Sequence, residues 1–162
     1  MAPPVLPRAE ILADLKTAML AISGGPNWNY QVTTVQVGQE ITRNFGLSQL
    51  PLIMIDPKMT DTEDRVTFGD STANRHHRRW PIEITGIVKP SSDLDIRAEG
   101  ERFLSDIVKK LLTMTIVLAS GQQAIVILRQ LMGPDNFERS EHKTAVVGVD
   151  IDISYLFSPR DL

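Results

Sequence analysis

The sequence predicts an α+β domain: a mixed, mainly antiparallel sheet with two or more helices packed on it, plus an extended hairpin or arm. Three observations carry this. Residues 80–88 and 144–157 alternate apolar and polar side chains, the two-residue period of a strand with one wet face. In the second run Val147, Val149, Ile151, Ile153, Tyr155 and Phe157 share one face, and Asp150, Asp152 and Ser154 share the other. Between the runs lies a long segment with helical spacing, and a second such segment opens the chain.

Residues 2–7 are proline-rich and read as an extended lead-in, because a residue before proline is pushed out of the helical region. A helix starts near Arg8. Ile11, Leu12, Leu15, Ala18, Met19 and Ile22 recur at three- and four-residue steps on one face, while Glu10, Asp14 and Lys16 stay wet. Ser23, Gly24, Gly25 and Pro26 stop it, with glycine as the left-handed cap. Residues 30–37, rich in β-branched side chains, and the apolar residues 51–55 are two further strands.

Residues 56–79 lack periodicity except for a short strand-like run, 65–68. A connection of this length is uncommon inside a compact domain. It is read as a hairpin or arm, acidic at its start (Asp56, Asp61, Glu63, Asp64) and basic at its end (Arg75, Arg78, Arg79, with His76 and His77). Being polar, long and poor in large apolar residues, it is expected to order on contact with a partner. In strand 80–88, Trp80, Ile82, Ile84 and Val88 point inward, and Glu83 and Thr85 outward.

Ser92, Asp93, Leu94 and Asp95 start the second long helix, offering acceptors and negative charge to its first turn. It runs to about Thr113. Phe103, Ile107 and Leu111 form one core-facing row and Leu104, Val108 and Leu112 the next, with Arg102, Asp106, Lys109 and Lys110 outside. Residues 116–131 suit either a strand or a buried helical turn, because the run Ile125, Val126, Ile127, Leu128 is too short for its period to decide. Gly133, Pro134, Asp135 and Asn136 read as a turn before the last strand.

A length of 162 residues with 42% hydrophobic side chains suffices for one core and not for two, so residues 1–162 are expected to form a single domain. The formal charge of −3 argues against a general nucleic-acid binder, which carries a basic excess. With no cysteine there is no disulfide and no thiolate nucleophile or soft-metal ligand. No run approaches the length of a membrane span and no export signal opens the chain, which predicts a soluble, unexported protein.

The sets that resemble chemistry are weak. Adjacent histidines on an extended chain point to opposite sides, so His76 and His77 need further ligands from elsewhere to hold a metal. Glu141, His142 and Lys143 with a distant Asp56 match only part of the carboxylate pattern of metal-dependent nucleases. Gly24 and Gly25 close a helix, whereas a phosphate site uses the donors that open one. Residues 75–80 pair cations with an aromatic, as a nucleic-acid grip does, but Trp80 belongs to the apolar face of its strand. Met54, Met59, Met114 and Met132 read as gap fillers or adaptable contacts. No residue is therefore assigned to catalysis, to a metal or to a cofactor, and the chain is read as non-enzymatic. The alternatives are a small nucleic-acid-binding module and a metal-dependent nuclease.

Residues 10–16 in the opening helix, Arg79, Trp80, Pro81, Ile82, Glu83 and Ile84 entering the middle strand, residues 98–112 around Glu101 and Arg102, and the closing strand 147–155 together carry a family likeness. In this order of elements the chain resembles the tail terminator, or tail completion, proteins of long-tailed bacteriophages, the lambda-like minor tail protein family. The resemblance implies a virion protein at the neck end of the tail, assembled in the host cytoplasm. It implies six copies in a ring on the last ring of the tail tube, ending tube polymerisation and offering a surface to the head-side connector. Its partners would be further copies of itself, the tail tube protein and the connector, with DNA passing through the lumen unbound. Ring neighbours meet through two different complementary faces, and the arm's opposite charges suit that. The expected contacts are Asp61, Glu63 and Asp64 of one copy against Arg75, Arg78 and Arg79 of a neighbour or of the tube.

Overall fold

In the computed structural model, residues 7–42, 44–63, 76–89, 95–139 and 142–157 are described. Residues 2–6 of the expected lead-in 2–7, the strand-like run 65–68, and Asp64, Arg75, Ser92, Asp93, Leu94 and Glu141 lie outside them, while Pro7 already opens the first helix. The architecture is α+β. Two α-helices, Pro7–Leu20 (α1) and Ile96–Thr113 (α2), accompany seven strands: Thr34–Val37 (β1), Leu52–Pro57 (β2), Thr62–Glu63 (β3), His76–Val88 (β4), Ile116–Val117 (β5), Gln123–Arg139 (β6) and His142–Phe157 (β7). The strand order is β1-β2-β4-β7-β6-β5, with β3 also on β4. Only β1 and β2 run parallel; every other pair is antiparallel.

Register divides the sheet into two faces. Trp80 stands opposite Ile153, Ile82 opposite Ile151 and Ile84 opposite Val149, so the apolar alternations of β4 and β7 coincide. Ile53 and Ile55 of β2 continue that face beside Gly86 and Ile84. Here α2 lies over β4, β7 and β6, and α1 packs on β1 and α2. Ile11, Leu15, Met19, Phe103, Ile107 and Leu111 seal the core with no measurable exposure beyond 1%. A residue slip in either long strand would turn this whole apolar set to water, which is why the alternation was a reliable sign of the sheet. The other face carries no helix among the described residues.

Both helices sit where their spacing places them. For α2 the cap is Asp95, whose carboxylate accepts the Arg97 N–H at 3.0 Å. Several side chains differ from expectation. Leu112 is 65% exposed although its neighbour Leu111 is buried, so its row contributes only Leu104 and Val108 to the core. Asp106, expected in water, is buried, as is Glu99, which pairs with Arg102 at 3.2 Å. The opening helix ends at Leu20, before the glycines. Gly24 and Gly25, at φ 70° and 83°, instead shape a loop that returns Gln31 to bridge Ser23. The strand expected at 30–37 starts only at Thr34.

Two larger corrections concern strands. Residues 116–131 are strand, forming β5 and the first half of β6 around a turn at Gly121, where φ is 85°. Residues 133–136 are not a turn. They lie inside β6, where the register jumps from Met132–Gly148 to Asp135–Val146, so Gly133 and Pro134 form a bulge facing Val147. Pro134 is accommodated because it fills the space over Gly100 of α2, where a Cβ atom would come within 2.4 Å of the Pro134 Cβ. Likewise, β4 begins at His76, four residues before the expected strand, so the histidines and arginines expected in a loop are strand residues.

Candidate functional site

The chain leaves the sheet from β2 and re-enters it as β4, and a bonded polar site forms around Asp61 between β2 and β3. After Pro57 the chain turns back along β4. The Lys58 N–H donates to the Pro81 carbonyl at 3.0 Å, and the Trp80 indole N–H donates to the Lys58 carbonyl at 2.7 Å. Thr62 and Glu63 then pair with Arg79 and Arg78 as β3. This route places Asp61 on the helix-covered face, beside Arg78 and Tyr155, which are themselves cross-strand partners.

Three side chains converge on Asp61. Arg78 donates through Nε at 3.1 Å and through a second guanidinium nitrogen to the same Oδ1. Tyr155 donates its hydroxyl to Oδ2 at 2.6 Å, and the Arg8 guanidinium meets Oδ2 at 2.6 Å. Arg8 comes from the first turn of α1, and its guanidinium lies 4.8 Å from the Trp80 ring centroid. The Asp61 side chain keeps 10% of its surface in water, so desolvation is a real cost. Burial pushes its carboxyl up, but hydrogen bonds from Arg78, Tyr155 and Arg8, with the Arg8 charge, overcome this and hold it well below the usual carboxylate range. Burial and the bond to Asp61 raise the Tyr155 hydroxyl. The site holds a fixed carboxylate and two cations locked together; it clamps the first turn of α1 and the end of β7 to the segment between β2 and β3.

The six residues expected to make contacts separate accordingly. Asp61 and Arg78 pair with each other inside one chain. Local alternation is the reason: Arg78 shares the face of Trp80, while Arg79, one residue on, belongs to the opposite, helix-free face. The Glu63 backbone pairs opposite Arg78, and its side chain is outside the described set. So are Asp64 and Arg75. Arg8 and Tyr155 were not expected here. Arg8 precedes Ile11 and Leu12 by three and four positions, so it continues the buried stripe of α1, and a cation on an apolar stripe is the sign that a buried partner exists.

A second polar site is structural. The Asp106 carboxylate accepts the backbone N–H groups of Asn29 and Tyr30, each at 2.9 Å to Oδ2, and the Asn29 side-chain amide at 2.9 Å. Burial raises its pKa, and the bonds from Asn29 oppose that rise. It fixes the loop that carries Trp28, whose ring lies 4.7 Å from Lys109 Nζ. The helix-free face is acidic instead: Asp56, Glu83 and Asp150 stand opposite one another across β2, β4 and β7. Lys58 bridges Glu83 at 3.0 Å and Asp56 at 3.8 Å, and Arg129 approaches Asp152 at 3.4 Å.

Among the described residues no three histidine or acidic side chains are placed to hold a metal ion. A groove of about 210 Å³ between the end of α2 and β6, lined by Leu111, Leu112, Met114 and Ile125, is smaller than pockets that enclose drug-sized ligands. No helix among the described residues is long and apolar enough to cross a membrane. No protein-family model matches the chain, and no curated protein matches it.

Proposed function

We propose that the chain is a virion assembly subunit of the tail-terminator kind: copies of it close into a six-membered ring on the end of a tail tube, stop its growth and present a surface to the head-side connector. The observation that carries this reading is the Asp61 clamp. A hairpin meant to reach a neighbour must leave its own domain at a fixed angle, and Arg8, Arg78 and Tyr155 bind the hairpin base to a helix and to a central strand. The likeness of residues 10–16, 79–84, 98–112 and 147–155 to tail terminators supplies the class.

With Asp61 and Arg78 turned inward, the contact role passes to Arg79 on the helix-free face. Exposed ion pairs contribute about 0–1 kcal/mol each, so charge selects register while apolar contact holds the ring. The test is electron microscopy of the purified protein mixed with tail tubes. Wild-type protein is expected to cap tube ends and prevent further growth. Arg79→Glu, which leaves the clamp intact, is expected to cap poorly at ordinary salt. Unchanged capping by the variant removes Arg79 from the contact, and tubes that keep growing beside the wild type remove the function.

A further inference from the structure

The outer edge of β6 has no partner strand among the described residues beyond its first two positions. There β5 pairs Val117 with Gln123 and Ile116 with Ala124, and then ends. From Ile125 onward β6 is bonded to β7 on one side only. The open stretch stops at Gly133 and Pro134, where the bulge re-aims the strand and proline offers no N–H. A row of outward backbone donors and acceptors recruits an extended strand. This row also carries exposed apolar side chains, Ile125 at 60% and Leu131 at 51%.

We propose that two copies of this chain join through this edge, β6 against β6, antiparallel and centred on Leu128. Length selects the partner. The opposite edge of the sheet, β1, has four residues, and its Val37 N–H already donates to the Glu40 carboxylate at 3.2 Å; β3 has two residues. Among the described sheet edges only β6 itself matches the open stretch. Its side chains also fit their own mirror order. Register places Leu128 beside Ile151 and Gln130 beside Asp150, so Arg129 is an extra, bulged residue. The regular positions are then 125–128 and 130–132, with Leu128 in the middle. Folding that row about its centre sets Ile125 against Met132, Val126 against Leu131, Ile127 against Gln130 and Leu128 against itself. Each pair lies on one sheet face, as the β7 partners of these residues require. No charge opposes its like, because Arg129 is out of the ladder and its side chain lies on Asp152 of its own copy at 3.4 Å. Such a two-fold contact closes on itself, whereas ring neighbours meet through different patches. The pairing is therefore a state of the free subunit and stands independently of the ring.

The experiment measures mass by light scattering on the full chain over a concentration series. The expected mass rises from 18.1 kDa toward twice that value. Ile125→Lys combined with Leu131→Lys, both at exposed positions, is expected to keep its circular dichroism and remain a single chain at every concentration. Because the chain has no cysteine, Leu128→Cys reports the register directly: mild oxidation is expected to link two copies, since directly opposed residues bring Cα atoms about 4.5–5.5 Å apart, within disulfide reach. If Leu128→Cys fails to fold, Ile125→Cys with Met132→Cys tests the same register at the ends of the stretch. A wild type that stays at single-chain mass overturns the proposal. So does a dimer, or a six-chain species, that the lysine pair leaves intact, or a dimer that no folded cysteine variant links. A six-chain species insensitive to the lysine pair would still support the ring.

Discussion

Asp61 is exposed enough to exchange with water at its rim yet accepts from Arg8, Arg78 and Tyr155, so its removal leaves two guanidinium groups facing each other across a partly buried space. Asp61→Asn keeps the shape and removes the charge. Hydrogen bonds to charged groups contribute about 1.5–3 kcal/mol each, and partial exposure of both arginines discounts that, so the expected loss is roughly 1–3 kcal/mol in urea unfolding at neutral pH. The pH dependence has a definite sign. A carboxyl depressed on folding contributes stability that is complete above its unfolded value and is lost as pH falls toward the depressed folded one. The gap between wild type and variant should therefore shrink in strong acid. A gap that stays constant into strong acid would mean the clamp is not electrostatic. Charge content marked Asp61 and Arg78 in the sequence, but their pairing was not readable there, because it depends on which way the chain turns between Lys58 and Thr62.

Glycine packing separates two kinds of contact between elements. At Gly100 an added Cβ meets the Pro134 ring at 2.4 and 2.8 Å, and that ring is held by the bulge in β6 and cannot rotate aside. At Gly148 the nearest atom, at 2.8 Å, is the terminal methyl of Met132, the free end of a flexible side chain. Gly100→Ala gains about 1 kcal/mol in helix propensity but must lift α2 from the sheet, and overpacking costs typically 1–3 kcal/mol, so net destabilisation is expected. Gly148→Ala is expected to change stability by less, with Met132 moving. Denaturant midpoints of the two variants decide it, and equal effects would show that Pro134 yields as readily as methionine. The same contact explains which elements were readable. The alternation of residues 80–88 and 144–157 and the stripes of both helices reflect local periodicity, and the structure reproduces them from Trp80 to Val88, from Val147 to Tyr155 and along both helices except at Asp106 and Leu112. Gly133 and Pro134 have the composition of a turn; only their distant neighbours, Gly100 and Val147, make them a bulge inside a strand. The run 125–128 was ambiguous for the same reason, since its strand pairing depends on Ser154, Ile153, Asp152 and Ile151.

The charge of the molecule is distributed by face. The helix-free side sets Asp56, Glu83 and Asp150 in a row, an arrangement of directly opposed like charges that destabilises a sheet unless offset. Lys58 offsets part of it, lying 3.0 Å from Glu83 and 3.8 Å from Asp56, and Asp150 adds to the same cation's stabilisation at longer range. Phosphate brought to this face meets an unfavourable potential. Among the described cations, Arg8 and Arg78 are committed to Asp61, Arg129 to Asp152 and Lys16 to Glu40, and Arg79 shares this face with the carboxylates. Nucleic-acid affinity from this surface should therefore be weak and lost with modest salt. Each phosphate neutralised would add about 0.9 to the slope of log affinity against log salt, and few contacts are on offer. Fluorescence anisotropy with a short duplex across a salt series measures this. Weak binding that disappears near physiological ionic strength is expected, as the proposed ring role requires. A complex that survives high salt would instead favour the nucleic-acid-binding alternative and displace the assembly reading.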